Sequence, residues 1–329
     1  MHPLPEFTLQ RPTSLAEAVS ALAGATPARL IAGGTDLLPN LRRGLEQPAL
    51  LVDLSAVRDM SAIDTAADGA LVLGAGLTLA RIATDATLAR TLPALAEAAR
   101  AAAGPGHRSA ATLGGNLCQD TRCVFYNQSQ WWRAANGYCL KRGGDTCHVA
   151  PQGARCHAAF SGDLAPVLLA LRAEVELLSV RGARWLALAD LYRDDGAAHL
   201  TLEADEVLTR VRTPAAPAGQ SCAYRKARVR GAMDFPLAGV AVALTCAGGA
   251  LTSLAVGISG VASRPIALAG MQALLGGALD AALLAAVGKA VQKQVSPMRS
   301  TITESNYRRQ VASTLAQRLV QELAQGAAR

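Results

Sequence analysis

Aromatic residues make up only 4% of this 329-residue sequence and charged residues only 17%, while hydrophobic residues reach 51%. A chain with so little charge and so much apolar surface packs into a globular protein, and with few aromatics its cores rest on Ala and Leu. Long apolar runs are also missing. The longest, such as Ala165–Leu171 and Leu237–Leu244, fall far short of the about 20 residues that cross a bilayer. The opening MHPLPEFTLQRP has no charged stretch leading into an apolar one, so no secretory signal is read there. The expectation is a cytoplasmic protein with no membrane role. The net charge is +7, but basic residues are scattered rather than interleaved with aromatics, which argues against nucleic acid as a partner. The densest group, Arg225, Lys226, Arg228 and Arg230, reads as a solvated edge or as a face for an acidic partner.

Cysteine is scarce too, with seven in the chain, yet five fall between positions 118 and 156. No C-x-x-C pair occurs. Cys123, Cys139, Cys147 and Cys156 are separated by 15, 7 and 8 intervening residues. Structural zinc sites favour close pairs and ferredoxins favour C-x₂-C-x₂-C runs, so the spacing matches neither template. In a reducing cytosol disulfides are disfavoured, which leaves a metal or catalytic role. Four thiolates suffice for zinc or for a [4Fe–4S] cube, and the residue types alone leave that choice open. His148 and His157 each follow a cysteine and are alternative ligands or neighbours of the site. Cys118 reads as an ordinary buried thiol.

At this length two or three domains are expected. Residues 13–23 read as a helix capped by Thr13 or Ser14, with Glu17 three residues after Ser14. A strand over 28–32 leads through Gly33-Gly34-Thr35-Asp36 into a helix over 37–43. Further strands are predicted at 50–54 and 70–73, with helices from Thr78 and over 94–103. Residues 118–160 lack periodicity and read as an inserted, loop-rich segment that also holds Trp131 and Trp132. A helix over 164–171 and a strand over 174–180 follow. Pro214–Gly219 is the best linker. After it come strands at 238–246 and 251–258 and helices at about 267–276, 279–293 and 304–325, an α+β ending.

Two glycine pairs carry the clearest binding signal. Gly33-Gly34-Thr35-Asp36 sits between a strand and a helix, where glycines let the backbone approach a ligand and expose N–H groups suited to a pyrophosphate. It is neither G-x-G-x-x-G nor a Gly-Lys-Ser/Thr loop. Thr112-Leu113-Gly114-Gly115-Asn116 repeats the arrangement, with a hydroxyl before the glycines and an amide after them. Each alone is explained by a tight turn; the pair of them raises the odds of a shared phosphate-bearing ligand.

These motifs, together with Gly162-Asp163-Leu164-Ala165-Pro166, Glu206-Val207-Leu208 and Tyr224-Arg225-Lys226, occur in an order that resembles the FAD-binding medium subunits of the xanthine dehydrogenase and carbon monoxide dehydrogenase family. The resemblance spans nearly the whole chain. It implies an α+β fold: a two-part FAD-binding domain of the vanillyl-alcohol-oxidase-like (PCMH) type over 1–217, and a C-terminal α+β domain of antiparallel sheet and helices over 218–329. The first domain would divide into a small lobe over about 1–55 and a large lobe over about 56–217. It implies FAD held by Leu30, Ile31, Ala32, Gly33, Gly34, Thr35, Asp36, Leu37, Ala102, Thr112, Leu113, Gly114, Gly115, Asn116, Asp163, Leu208 and Lys226. Both glycine pairs would donate backbone N–H groups to the pyrophosphate, Asp163 would accept from ribityl or ribose hydroxyls, and Lys226 would lie near the flavin ring.

In most of the family a serine–aspartate–x–x–proline motif closely follows the Gly-Gly-Asn. Here Asn116 and Asp163 are 47 positions apart, and the excess is the cysteine-rich segment. Ser161-Gly162-Asp163 also replaces the usual adjacent Ser-Asp. The insertion, about 118–160, resembles that of 4-hydroxybenzoyl-CoA reductase β subunits, which implies a [4Fe–4S] cluster on Cys123, Cys139, Cys147 and Cys156. The implied partners are a large molybdopterin subunit, a small [2Fe–2S] subunit and a ferredoxin-like carrier, in a dimer of heterotrimers. The implied activity is electron transfer for reductive dehydroxylation of an aromatic acyl-CoA. The alternative is an oxidative molybdenum hydroxylase acting on xanthine or another heterocycle or aromatic, with the insertion holding a cluster or zinc.

Overall fold

The computed structural model describes residues 3–24, 27–299 and 303–327. It contains three sheets. Strands β1 (Thr8–Gln10), β2 (Ala28–Ile31) and β3 (Leu50–Asp53) form a small parallel sheet in the order β1-β3-β2. Helix α1 (Leu15–Ala23) supplies the crossover between the first two, and α2 (Leu37–Arg42) the next. The start of α1 follows from its sequence. Ser14 Oγ accepts from the Glu17 amide at 3.2 Å, and Glu17 reaches back to the Thr13 amide at 2.7 Å. The box therefore closes one residue earlier than the usual reciprocal pair.

The second sheet is antiparallel, with β4 (Ile63–Thr65), β5 (Leu71–Gly74), β6 (Glu174–Ser179), β7 (Gly182–Ala187) and β8 (Val207–Thr213) in the order β4-β5-β8-β6-β7. Between β5 and β6 the chain forms α3 (Leu79–Thr84), α4 (Ala86–Thr91), α5 (Pro93–Ala101), α6 (Pro105–Ala110), α7 (Leu113–Leu117), α8 (Gln130–Ala135) and α9 (Leu164–Ala170). Every residue of α9 is buried. Its Leu-Ala-Pro-Val-Leu-Leu-Ala text is apolar all round because it packs against α5 and α7 on one side and the third sheet on the other.

The third sheet is an antiparallel run of β9 (Ser221–Ala227), β10 (Ala238–Ala247), β11 (Ala250–Ser259) and β12 (Ile266–Ala267). One face joins the first core through Tyr224, Ala241 and Ala243. The other is covered by α10 (Ala281–Gln294) and α11 (Ser305–Ala327), around Val240, Val242, Val287, Val291, Leu319 and Val320. Residues buried on both sides explain why β10 reads as a continuous apolar run rather than an alternating one.

The differences from expectation are local. The helix predicted at 267–276 is a strand end at Ile266–Ala267 followed by a 3₁₀ turn at Met271–Leu274. Gly270, Gly276 and Gly277 interrupt the apolar pattern there, and the first two adopt left-handed φ. The helix at 94–103 stops at Ala101, because Ala102 is already extended (φ −74°, ψ 133°), and Ala103 after it is left-handed at φ 43°. The loop-rich segment contains one short helix, α8, capped by Ser129.

Candidate functional site

The first glycine pair forms the turn between β2 and α2. Gly34 adopts φ +67°, which glycine enters without the steric penalty a Cβ brings. Among the described residues, no acceptor meets the amides of Gly33, Gly34, Thr35 or Asp36. Four successive free donors at the start of a helix are the arrangement an anionic phosphate oxygen satisfies. Gly33 has a second role. A Cβ there would lie 1.9 Å from the Ala110 carbonyl oxygen, so glycine alone allows this turn to rest on the segment leading into the second pair. Two motifs some 80 positions apart in sequence are thereby neighbours.

The second pair has a different form. It is the first turn of α7, with Thr112 as N-cap. The Gly115 amide donates to Thr112 Oγ1 at 3.1 Å, and the Gly114 amide donates to the Ala75 carbonyl at 2.8 Å. These donors are engaged within the protein, unlike those of Gly33 and Gly34. Gly114 is required for packing: a Cβ there would sit 2.9 Å from the Ala75 Cβ. The helix lies against β8, which carries Leu208. Asn116 Oδ1 accepts from the Leu164 amide at 3.1 Å, which joins α7 to the start of α9.

Asp163 stands at that start and is buried with Lys226 and Tyr224. Lys226 Nζ lies 3.0 Å from Asp163 Oδ2, and the Tyr224 hydroxyl donates to Oδ1 at 2.6 Å. The lysine and aspartate side chains are only 4% and 7% exposed. Burial pushes the Asp163 carboxyl up, and Lys226 and the Tyr224 hydroxyl oppose that push. Lys226 also reaches the Ala101 carbonyl at 3.4 Å, next to Ala102. The contacts run from Gly33 through Ala110–Asn116 to Asp163, Lys226 and Ala101. Glycine-lined close approach, free amides and a buried cation beside a hydroxyl fit a dinucleotide flavin.

The cysteine segment forms a second site. Cys123, Cys139, Cys147 and Cys156 line one small cavity together with Tyr126, Leu140, Lys141, His148, Val149 and Ala158. Cys123, Cys147 and Cys156 are buried, and no cysteine of the chain is in a disulfide. Burial pushes the Cys123 thiol up and Cys156 up to about 11, and in each case neighbouring cysteines push the same way. The Ala158 amide and Lys141 oppose that push at Cys156. Among the described residues no group of three or more His, Cys, Asp or Glu is arranged to hold a metal ion; the four cysteines share one cavity wall. Of the two histidines, His148 lines the cavity with Nε2 2.7 Å from the Tyr138 carbonyl oxygen, while His157 does not line it. Cys118 packs partly buried against the first core, and burial raises its thiol to about 12.

Sequence reasoning missed what holds this segment in place. Asp36, from the first glycine turn, pairs with Arg122 and accepts the Asp120 amide at 2.8 Å. Arg122 also donates to Asn40 Oδ1 at 2.5 Å. Arg142 reaches the Leu45 carbonyl at 2.7 Å and Arg133 the Arg43 carbonyl at 3.0 Å. The insertion is thus docked on residues 36–45, directly beside the candidate pyrophosphate turn. The one available signal was the presence of four arginines, Arg122, Arg133, Arg142 and Arg155, in a segment without periodicity.

Two family models match the chain: the FAD binding domain in molybdopterin dehydrogenase over residues 5–216, and the CO dehydrogenase flavoprotein C-terminal domain over residues 222–323. The chain is similar to the xanthine dehydrogenase FAD-binding subunit of Escherichia coli O157:H7, 28% identical over 95% of this chain and 94% of the relative. It is similar also to the carbon monoxide dehydrogenase medium chain of Afipia carboxidovorans, 30% identical over 96% of each. Among solved structures, reconstituted CO dehydrogenase from Oligotropha carboxidovorans superposes with a TM-score of 0.80 at 28% identity, covering 98% of this chain and 99% of that one.

Proposed function

The chain belongs to the family of FAD-binding subunits of molybdopterin dehydrogenases, and on that premise we propose that it is an electron-transfer subunit carrying two redox groups, FAD and a [4Fe–4S] cluster. The single observation that carries the second group is the convergence of Cys123, Cys139, Cys147 and Cys156 on one cavity. When bound, the flavin supplies two-electron and one-electron chemistry and the cluster one-electron chemistry, while the protein orients them and tunes their potentials.

For FAD, the amides of Gly33, Gly34, Thr35 and Asp36 hold the pyrophosphate. The second glycine pair brings α7 close rather than donating its own amides, which are engaged by Ala75 and Thr112. Asp163 is the acceptor for sugar or ribityl hydroxyls, and Lys226 is the cation that stabilises negative charge on the reduced ring. Leu30, Ile31, Ala32, Leu37, Ala102, Leu113, Asn116 and Leu208 complete the proposed contacts. The natural boundary between the FAD-binding domain and the C-terminal domain is the exposed Pro214–Gly219 stretch between β8 and β9.

The partners are a large molybdopterin subunit and a small [2Fe–2S] subunit, in a dimer of heterotrimers in the cytoplasm. The similar xanthine and carbon monoxide dehydrogenases favour an oxidative complex as the setting. A second reading, in which a ferredoxin-like donor feeds reductive dehydroxylation of an aromatic acyl-CoA, is favoured by the cysteine cavity, which gives the subunit an extra port for electrons. Anaerobic purification followed by iron, acid-labile sulfide and flavin analysis tests the cofactors. Close to four irons and one FAD per chain is expected; zinc in place of iron removes the cluster. Assay of the assembled complex with a low-potential donor and aromatic thioester, against an oxidisable heterocycle with an acceptor, separates the two directions.

A further inference from the structure

Among the described residues that line the cysteine cavity, Lys141 is the only lysine or arginine. It sits in the 3₁₀ turn Leu140–Arg142, directly after Cys139, and its side chain is 7% exposed. Its Nζ lies 2.5 Å from Asp120 Oδ1 and 3.2 Å from the Thr121 carbonyl, and it also donates to Thr121 Oγ1. It stands 4.5 Å over the centre of the Tyr126 ring. Asp120 is fixed in turn by the Tyr126 hydroxyl at 3.0 Å and by Asn40 Nδ2 at 3.3 Å, and its amide donates to Asp36 in the glycine turn. A lysine held by this many partners cannot swing into water. It is a fixed positive charge on the cavity wall, balanced from behind by one carboxylate.

We propose that Lys141 is a positioning residue that sets the reduction potential of the group held by the four cysteines, with Asp120 as the counter-charge that limits its effect. The inference rests on the cluster reading above. Reduction adds one negative charge inside the cavity. A nearby cation in a low-dielectric setting favours the reduced form and raises the potential, and an anion does the reverse. The two residues therefore act with opposite signs. An ion pair that only stapled Asp120 to the 140–142 turn would have no such signature, since losing either member would loosen the same contact.

The test is a redox titration of the anaerobically purified full chain, followed by electron paramagnetic resonance for the cluster and by absorbance for the flavin as internal reference. Iron and sulfide are measured first in every variant. Lys141→Met is expected to lower the cluster potential, Asp120→Asn to raise it, and Lys141→Arg to leave it near the original value, with the flavin potential unmoved. Unchanged cluster potentials at full iron content, or shifts of the same sign in Lys141→Met and Asp120→Asn, overturn the inference. If Lys141→Met fails to retain iron, the Asp120→Asn and Lys141→Arg pair decides by the same signs. An unaltered chain without iron overturns the cluster reading and this inference with it, a result distinct from an iron-loaded protein whose potential does not respond.

Discussion

Around the candidate flavin residues the chain is carried by buried apolar side chains. Leu113, Leu117, Phe160, Leu164, Val167 and Leu168 all belong to one continuous core that also takes in Leu73, Val175 and Val211. The cysteine segment has no comparable core. Its apolar cluster consists of Leu45, Cys123, Tyr126, Cys156 and Ala158, with Phe125, Val149 and Met298 at its edge. Its attachment to residues 36–45 is polar, through Arg122, Arg133 and Arg142. Trp131 is 77% exposed at the start of α8. The difference teaches that one region is held by burial, while the other is held by hydrogen bonds and, on the proposed reading, by the group its cysteines bind.

Four experiments break or sharpen that comparison. The largest effect is expected from Cys123→Ser with Cys156→Ser. Iron is lost, and residues 118–160 become the first site of limited proteolysis, while flavin and the thermal transition of the cores persist. Loss of flavin together with iron counts against separate supports. On the other side, Asp163→Asn leaves Lys226 buried without its carboxylate. Such a break costs about 3–5 kcal/mol, so a fall in urea midpoint and in flavin content at unchanged iron is expected. Arg133→Met removes a buried guanidinium that donates to the carbonyls of Arg43, Tyr126 and Gln128. Loss of charged hydrogen bonds of this kind costs about 2–3 kcal/mol, confined here to the insertion and visible as faster hydrogen exchange of its amides.

The smallest effect is a pH dependence. His199 is buried, with Nε2 donating to the Gln119 carbonyl at 2.9 Å, and burial holds its pKa below 6.5, aided by Lys141. A histidine with a depressed folded pKa binds its proton first in the unfolded chain. Stability from this group is therefore present above pH 6.5 and is lost as the pH falls from there toward the depressed value. His199→Gln is expected to flatten the stability profile over that window, as measured by urea unfolding at a series of pH values.

Much of the fold was legible because it rests on short-range chemistry. Ser14 before an apolar 3.6-residue pattern marks α1, Thr78 marks α3, and Gly248-Gly249 between two apolar runs marks the β10–β11 hairpin. Strands β1, β4, β7, β8, β9 and β12 were not singled out as strands. β7 is mostly exposed with no alternation, and β9 carries Tyr224-Arg225-Lys226, whose charges mask its pairing with β10. The candidate flavin residues were legible as motifs, but their roles were not: nothing in Thr112-Leu113-Gly114-Gly115-Asn116 shows that its amides are taken by Ala75 and Thr112.

The sequence by itself determined the residue types at each site: two glycine pairs, a lone aspartate, a lysine and four cysteines with no familiar spacing. Only the tertiary structure decided that the four cysteines line one cavity, that Lys141 is a cation beside them, and that Asp36 ties the cysteine segment to the first glycine turn. The physical reason is range. Caps, turns and periodicity are settled by neighbours within a few positions, whereas a cavity wall and a buried ion pair are made by groups up to a hundred positions apart, which the chain brings together only when its cores close.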